Sequence, residues 1–168
     1  MEDKIFNKIF KLMETSFPKT EFRTREDQKK LLDNKFYNLK PYFNDKNEIL
    51  AFIATWEFSD FIFVEHIAVS PNARGMGLGT KIMDELINST NKTIVLEIEP
   101  PTDETCVRRM KFYEKLGFKM NDYEYFQMPL RENQDKIPLK IMSYPAEIKK
   151  DAFKSVEKCI LNNVYNVN

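Results

Sequence analysis

Three of the chain's four glycines stand within five residues, at Gly75, Gly77 and Gly79. An apolar stretch from Ile67 to Val69 precedes them, and apolar residues at helical spacing follow from Leu78 onward. This pattern predicts a strand, a short turn and a glycine-rich helix start. Glycine lets the backbone approach a ligand closely, and the unpaired amides and positive end of a helix favour phosphate oxygens. The segment therefore predicts an anion-binding turn.

Two common phosphate-binding motifs do not fit these glycines. A dinucleotide fingerprint needs G-x-G-x-x-G in a parallel strand–helix–strand unit, whereas the spacing here is G-x-G-x-G after strands joined by short turns. A P-loop needs Gly-Lys-Ser/Thr after four intervening residues, whereas the order here is Gly79, Thr80, Lys81. A flexible turn without a ligand is the remaining alternative. Arg74, which adds a forked cationic donor beside the glycines, argues against it.

The size and charge of the chain limit its architecture and partners. It has 168 residues, 42% of them hydrophobic, and we expect residues 1–168 to form a single domain. Its 26 basic residues equal its 26 acidic residues, and the two signs are interspersed. Because such a chain creates no long-range field, we expect neither nucleic acid nor a membrane surface as a partner.

The N-terminus and the cysteines predict a reducing compartment. No basic stretch followed by an apolar run opens the chain, and no segment approaches the roughly 20 apolar residues that span a bilayer. These features favour a cytoplasmic protein. The two cysteines, Cys106 and Cys159, lie far apart and outside any C-x-x-C spacing, which predicts reduced thiols and no metal site.

Hydrophobic spacing and turn residues predict five helices and six strands. Thr24 with Asp27 predicts a capped start for the second helix, and Gly117 predicts the end of the fourth. The predicted ranges are helices at 5–17, 24–33, 78–87, 105–116 and 146–164, and strands at 36–43, 48–57, 61–69, 93–98, 123–128 and 139–143. This order predicts an α/β fold with a mixed sheet and helices on both faces.

The segment from Arg74 to Gly79 also matches the pattern Arg/Gln-x-x-Gly-x-Gly/Ala, and in this it resembles the acyl-CoA loop of the GNAT superfamily of GCN5-related N-acetyltransferases. Two neighbouring segments add to the resemblance. Glu65 to Val69 looks like the family's fourth strand, and Phe112 to Phe118 looks like its later helix-to-strand signature. The likeness extends from about residue 36 to 128. It implies a mostly antiparallel, twisted sheet in which the fourth and fifth strands splay apart.

The resemblance implies acetyl-CoA as a co-substrate and suggests which residues bind it. The backbone of the fourth strand would bond the pantetheine arm, and the glycine turn would hold the pyrophosphate. Cys106 and Tyr113 would lie near the thioester. The implied binding residues are Ile67, Ala68, Val69, Arg74, Gly75, Met76, Gly77, Leu78, Gly79, Thr80, Cys106 and Tyr113.

Acetyl transfer to an amine needs a proton acceptor and a proton donor. Tyr113 is the expected acid for the departing thiolate, because it matches the tyrosine of the family's signature and a phenol has a pKa of about 10, near that of a thiol. Glu65, on the splayed strand, is the expected base. Glu97 and Glu99 stay open as alternatives, and each of the three could instead be a salt-bridged carboxylate at a strand end.

Two further residues qualify the implied mechanism. Cys106 stands where many relatives carry Asn, so it either packs or permits an acyl-enzyme route. We expect direct transfer, because no histidine is near Cys106 in sequence to activate its sulfur. The only histidine, His66, points to the opposite face of a regular strand from Glu65, and we expect it to pack.

The sequence thus predicts an N-acetyltransferase that moves an acetyl group to a primary amine of a small molecule or peptide, as a monomer or homodimer. A non-catalytic module that binds or senses acyl-CoA is the alternative, and a purely structural domain is a weaker one. Aromatic residues at Phe36-Tyr37, Tyr42-Phe43 and Tyr123–Phe126 could line an amine pocket, although aromatics at strand spacing are typical of a core.

Overall fold

A computed structural model describes residues 1–167 of the chain. It confirms an α/β fold with a six-stranded mixed sheet. The helices are α1 (Asp3–Ser16), α2 (Arg25–Lys30), α3 (Leu78–Ser89), α4 (Glu104–Lys115) and α5 (Lys150–Asn163), with short 3-10 helices at Leu31–Asp33 and Pro71–Ala73. The strands are β1 (Tyr37–Phe43), β2 (Ile49–Glu57), β3 (Phe61–Val69), β4 (Thr93–Ile98), β5 (Lys119–Gln127) and β6 (Ile137–Tyr144).

The chain divides into two compact units. The first contains residues 1–57 and 64–90, and the second contains residues 58–63 and the chain from 91 onward. That residues 1–168 form a single domain stays a prediction. Among residues 1–167, every helix is too short or too polar to cross a bilayer.

In the first unit, β1, β2 and β3 lie side by side in that order. β1 and β2 run antiparallel, with Tyr37 opposite Trp56. Helix α1 packs on β2 with one apolar stripe at helical spacing, and burial of each such side chain contributes about 1.5–3 kcal/mol. The stripe consists of Phe6, Ile9, Phe10, Leu12 and Met13.

Helix α2 begins at the predicted cap. The Thr24 hydroxyl accepts a hydrogen bond of 3.2 Å from the Asp27 amide, and it donates one of 2.7 Å to the Asp27 carboxylate. These bonds satisfy one of the amides that every helix start leaves unpaired. The predicted second helix then ends in the 3-10 turn Leu31–Asp33.

In the second unit, the strand order is β4, β6, β5, and both pairs are antiparallel. Helix α4 packs on β4 and ends before Gly117, whose φ of +94° is the left-handed conformation that glycine adopts most easily. A Cβ at Gly117 would stand 3.1 Å from the Tyr144 ring, so this turn also needs a residue without a side chain. The predicted glycine stop is confirmed.

Three predicted bounds in the second unit were wrong. β5 begins at Lys119 rather than 123, since its first residues pair with the far end of β6, as Lys119 does with Ser143. β6 includes Pro138, which the sequence assigned to a loop. Pro138 pairs with Phe126 of β5, but pairing with β4 starts only at Lys140, so the proline lies where β6 has a partner strand on one side.

Helix α5 starts at Lys150 rather than at 146. In the preceding turn, backbone groups form hydrogen bonds with side chains of β5 and β6 and are therefore not available to a helix. The Ile148 amide donates to the Asn121 side chain at 2.7 Å, and the Ser143 hydroxyl donates to the Ala146 carbonyl at 2.6 Å. Such long-range bonds cannot be read from local helical spacing.

Candidate active site

The glycine turn between β3 and α3 belongs to the first unit. It opens with the 3-10 turn Pro71–Ala73, in which the Ala73 amide bonds to the Ser70 carbonyl at 2.9 Å. Gly75 and Gly77 then take φ values of +79° and +72°. Because side chains disfavour these angles, the local backbone requires glycine at both positions.

Gly77 is also the N-cap of α3, and it leaves the helix start open. The first intrahelical bond runs from the Lys81 amide to the Gly77 carbonyl at 3.0 Å. The amides of the first turn, from Gly77 to Thr80, thus have no acceptor within the helix, and glycine has no side chain with which to cap them. Apart from the adjoining residues, no heavy atom of residues 1–167 lies within 4 Å of a Cβ built at Gly75 or Gly77. The turn therefore offers backbone donors and open space to an anion.

Arg74 adds positive charge to this turn. Its side chain is exposed, and its Nε lies 3.4 Å from the Val69 carbonyl at the end of β3. A groove of about 650 Å³ begins at Gly77 and follows one face of α3. The groove is lined by Gly77, Thr80, Lys81, Asp84, Glu85, Asn88 and Ser89.

Glu65, the predicted base, lies on β3 with its side chain only 3% exposed. The Arg23 guanidinium donates to its Oε1 at 2.5 Å, and the Trp56 indole donates to its Oε2 at 3.0 Å. Burial raises the pKa of the Glu65 carboxyl, but the charges of Arg23 and His66 and the two hydrogen bonds together lower it below its ordinary value. This geometry favours the salt-bridged role that the sequence left open. Its role as a base stays a prediction.

His66 packs as the sequence predicts. Its ring meets Phe17 edge-on with 4.9 Å between the ring centroids, and its Nε2 lies 2.8 Å from the Glu21 carbonyl. Burial lowers the pKa of the imidazole, although the neighbouring Glu65 carboxylate opposes that effect. The other predicted β3 residues, Ile67, Ala68 and Val69, form the last part of the strand before the glycine turn.

Tyr113, the predicted acid, lies on α4 in the second unit. It is 6% exposed, and its ring contacts Phe112 and Phe118 edge-on. Burial raises the pKa of the phenol to about 12, with Glu99 adding to that effect and Arg109 opposing it. Tyr113 is therefore fully protonated at neutral pH and able to donate a proton or a hydrogen bond.

Two carboxylates accompany Tyr113 in the second unit. Glu99 forms an ion pair with Arg109 of α4. Glu97, on β4, instead accepts hydrogen bonds from two phenols, those of Tyr125 on β5 and Tyr165 beyond α5. Glu97 and Glu99 thus differ sharply in environment, although they are two residues apart on the same strand end.

Cys106 lies in the first turn of α4. The N-cap Asp103 accepts bonds from the Thr105 amide at 2.8 Å and from the Cys106 amide at 2.9 Å, and the Cys106 sulfur lies 3.4 Å from the same carboxylate. Burial raises the pKa of the Cys106 thiol, and the Asp103 and Glu99 carboxylates add to the effect. The thiol is therefore protonated at neutral pH.

Sequence reasoning missed several residues that surround the predicted ones. Arg23 and Trp56 bond to Glu65, and Tyr125 and Tyr165 bond to Glu97. The aromatic run around Tyr125 was a visible signal, and the structure buries Tyr125 with its hydroxyl on a carboxylate. Arg23 and Tyr165 carried no local signal, since their partners are 42 and 68 residues away.

Two comparisons with known sequences match part of this chain. A family profile described as an acetyltransferase (GNAT) domain matches residues 41–120. YjbC of Bacillus subtilis (strain 168), a protein named as an acetyltransferase, is 43% identical over 76 residues, which are 44% of this chain. The matched part is only 38% of the length of YjbC.

Solved structures share the fold of this chain. A structure from Bacteroides thetaiotaomicron, assigned to the GNAT acetyltransferases, has a TM-score of 0.90 at 28% identity and covers 98% of this chain and 94% of its own. An aminoglycoside 6'-N-acetyltransferase solved with coenzyme A has a TM-score of 0.60 at 16% identity, with coverage of 84% and 91%. This second likeness concerns the fold alone.

Proposed function

Because the chain carries the acetyltransferase domain of the GNAT family, we propose that it transfers an acetyl group from acetyl-CoA to a primary amine of a small molecule or peptide. One observation carries this proposal. The start of α3 combines two left-handed glycines, uncapped amides and open space where any side chain would stand. Such a helix start fits a pyrophosphate, which is the charged centre of coenzyme A.

The residues of the glycine turn fit this co-substrate chemically. The amides from Gly75 to Thr80 would hold the pyrophosphate oxygens, and Arg74 would add a charge-assisted donor. The backbone of Ile67, Ala68 and Val69 would bond the pantetheine arm in the manner of an added strand. Acetyl-CoA supplies an acetyl group already activated as a thioester. The remaining chemistry depends on proton transfers by the protein.

The reaction joins an amine nitrogen to the acetyl carbon and releases the thiol. A neutral amine attacks the carbonyl carbon, so that the N–C bond forms and the C–S bond then breaks. The nitrogen loses one proton, and the departing sulfur gains one. Tyr113 is our candidate for the proton donor. Its pKa of about 12 keeps the proton on the phenol at neutral pH, and a hydrogen bond from it would stabilise the negative charge that develops on sulfur.

Among the three predicted carboxylates, Glu97 is the best candidate for the proton acceptor. Glu65 and Glu99 are each paired with an arginine, and such pairing reduces the tendency of a carboxylate to accept a proton. The phenols of Tyr125 and Tyr165 donate hydrogen bonds to Glu97, and these bonds orient its carboxylate. We therefore assign the acceptor role to Glu97 and a structural role to Glu65.

Calorimetry first, and then a turnover assay, test the proposal. We expect acetyl-CoA to bind with a dissociation constant in the micromolar range, about −8 kcal/mol. The assay then follows thiol release with spermidine, lysine, kanamycin and an alanine-leading peptide as amines. Release of thiol with formation of the matching acetamide supports the transferase. Binding with no transfer to any amine supports a sensing module instead, and the absence of binding rejects both.

A further inference from the structure

Tyr125 and Tyr165 converge on the carboxylate of Glu97. The Tyr165 hydroxyl lies 2.8 Å from each carboxylate oxygen of Glu97, and the Tyr125 hydroxyl donates to Oε1. Tyr125 is 2% exposed and Tyr165 is 9% exposed, so both phenols are buried, whereas the Glu97 carboxylate that accepts their bonds is half-buried. A charge-assisted bond of this kind is stronger than a neutral one and restricts the orientation of the carboxylate.

The sheet register explains how Tyr125 reaches Glu97. Glu97 of β4 pairs with Ile141 of β6, and Tyr125 of β5 pairs with Leu139 of the same strand. Positions two apart on a strand share a face, so the two side chains project from the same side of the sheet and flank β6. The long tyrosine side chain spans the intervening strand. Phe153 of α5 packs against its ring with 6.4 Å between centroids.

The turn that follows α5 brings Tyr165 to the same place. The amides of Val164 and Tyr165 both bond to the Ile160 carbonyl, and the Val167 amide bonds back to the Leu161 carbonyl at 2.9 Å. Asn166 adopts a left-handed φ of +54°, which asparagine tolerates better than most residues. This closed turn holds the backbone from which the Tyr165 side chain extends.

The electrostatic setting keeps the Tyr125 phenol a donor. Burial and the neighbouring Glu97 carboxylate raise the pKa of Tyr125 well above its ordinary value. Its proton therefore stays on the phenol throughout the neutral range, and the bond to Glu97 persists. A carboxylate that is held in one orientation by two buried donors is preorganised for a single proton-transfer direction.

We propose that Tyr165, together with Tyr125, is a positioning residue that aims the Glu97 carboxylate at the amine of the acceptor. This inference rests on the proposed function and specifies how one residue of that reaction is controlled. In the transfer step the proton of the attacking nitrogen passes to Glu97, the N–C bond forms and the C–S bond breaks. In this proposal Tyr165, whose hydroxyl also shares a hydrogen bond with Tyr125, forms no bond to either substrate and acts through Glu97.

Removal of the Tyr165 hydroxyl tests this role. Y165F keeps the ring and its packing, and we expect the single-turnover transfer rate to fall on the order of 10-fold, the effect of one hydrogen bond to a charged group. The KM values for acetyl-CoA and for the amine stay within twofold of wild type. Y144F is the control, because Tyr144 pairs with Ile94 near the start of β4 and its ring packs on Phe118 instead of on Glu97.

A double-mutant cycle distinguishes positioning from a general structural effect. E97Q alone slows transfer by about 10²–10⁴-fold if Glu97 accepts the proton. Adding Y165F to E97Q then changes the rate no further, since the residue it positions is gone. A tenfold loss that persists in the E97Q background overturns the inference, as does a Y165F rate equal to that of wild type. Circular dichroism and the melting temperature of each variant establish that it is folded.

The outcomes also separate this inference from the proposed function. The amine that wild type acetylates fastest in the panel of spermidine, lysine, kanamycin and the peptide serves as the acceptor. If wild type acetylates an amine but the cycle shows no coupling, the inference fails and the transferase stands. If wild type acetylates none of the four, the proposed function is rejected and the inference with it.

Discussion

Arg23 donates a 2.5 Å hydrogen bond to Glu65, and the two side chains are only 7% and 3% exposed. The bond ties the segment between α1 and α2 to β3 across 42 residues of sequence. Removing two charges from water is unfavourable, and only close pairing with additional donors offsets it. Trp56 supplies one such donor, and the Arg23 guanidinium also lies 5.9 Å from the centre of the Trp56 ring.

Substitution of Glu65 by Gln should strongly destabilise the protein. The change leaves Arg23 buried beside a neutral amide, and an uncompensated buried charge typically costs about 3–5 kcal/mol. Urea unfolding measures the loss. K30Q is a matched control, because the Lys30–Asp27 pair has a similar length of 2.8 Å but lies on the surface. Equal losses for the two variants would contradict the role assigned to the buried pair.

The pH dependence of stability should report the same pair. The pKa of Glu65 is lower in the folded state than the ordinary value of 4.5 that applies after unfolding. Its ionised form therefore stabilises the fold above that value, and the contribution disappears as pH falls through the folded pKa. Melting temperatures between pH 3 and 7 should show the gap between wild type and E65Q narrowing only below pH 4.5. A gap that is constant across this range would contradict the ion pair.

Substitutions at Gly77 should separate backbone strain from charge. Gly77→Ala and Gly77→Glu both impose a side chain on a φ of +72°, at a cost of about 1–2 kcal/mol. Only the glutamate also puts an anion where the pyrophosphate would bind. We expect the affinity for acetyl-CoA, measured by calorimetry, to fall at least about tenfold further for Gly77→Glu than for Gly77→Ala. Equal affinities of the two variants for acetyl-CoA would show that its pyrophosphate binds away from Gly77.

Replacement of Tyr113 by Phe should slow the chemical step and leave cofactor binding intact. The ring and its contacts with Phe112 and Phe118 are kept, and only the proton donor is lost. A loss on the order of 10²-fold in single-turnover transfer is expected for a general acid. The affinity for acetyl-CoA is the internal control. A loss below about threefold would remove Tyr113 from the mechanism and leave water or the substrate to protonate the thiolate.

The Cys106 thiol should react slowly with electrophiles at neutral pH. Its pKa is raised above the ordinary 9.0, so iodoacetamide should modify it slowly at neutral pH and faster as the pH rises above 9.0. Mass spectrometry locates the modified site. Direct transfer further predicts that C106A retains the wild-type rate within about threefold. A trapped acetyl group on Cys106, together with an inactive C106A, would establish the acyl-enzyme route instead.

Features with a short-range cause were predictable from the sequence. The glycine turn depends on backbone angles that only its own residues set, as φ of +79° at Gly75 and +72° at Gly77 show. The cap at Thr24 and the stop at Gly117 are equally local, since each is formed by a few consecutive residues. Strand and helix periodicity likewise located most elements to within a few residues, with the largest errors at the starts of β5 and α5.

The environment of each candidate carboxylate was decided by tertiary structure. The sequence favoured Glu65 as the base and left Glu97 and Glu99 open as alternatives. Folding gives Glu65 an arginine from 42 residues away and gives Glu97 a tyrosine from 68 residues away. The strength of a proton acceptor depends on charges and donors within a few ångströms in space. Helical and strand spacing carries no such distances. The sequence therefore determined the secondary structure and the glycine turn, and long-range packing decided the surroundings of each carboxylate.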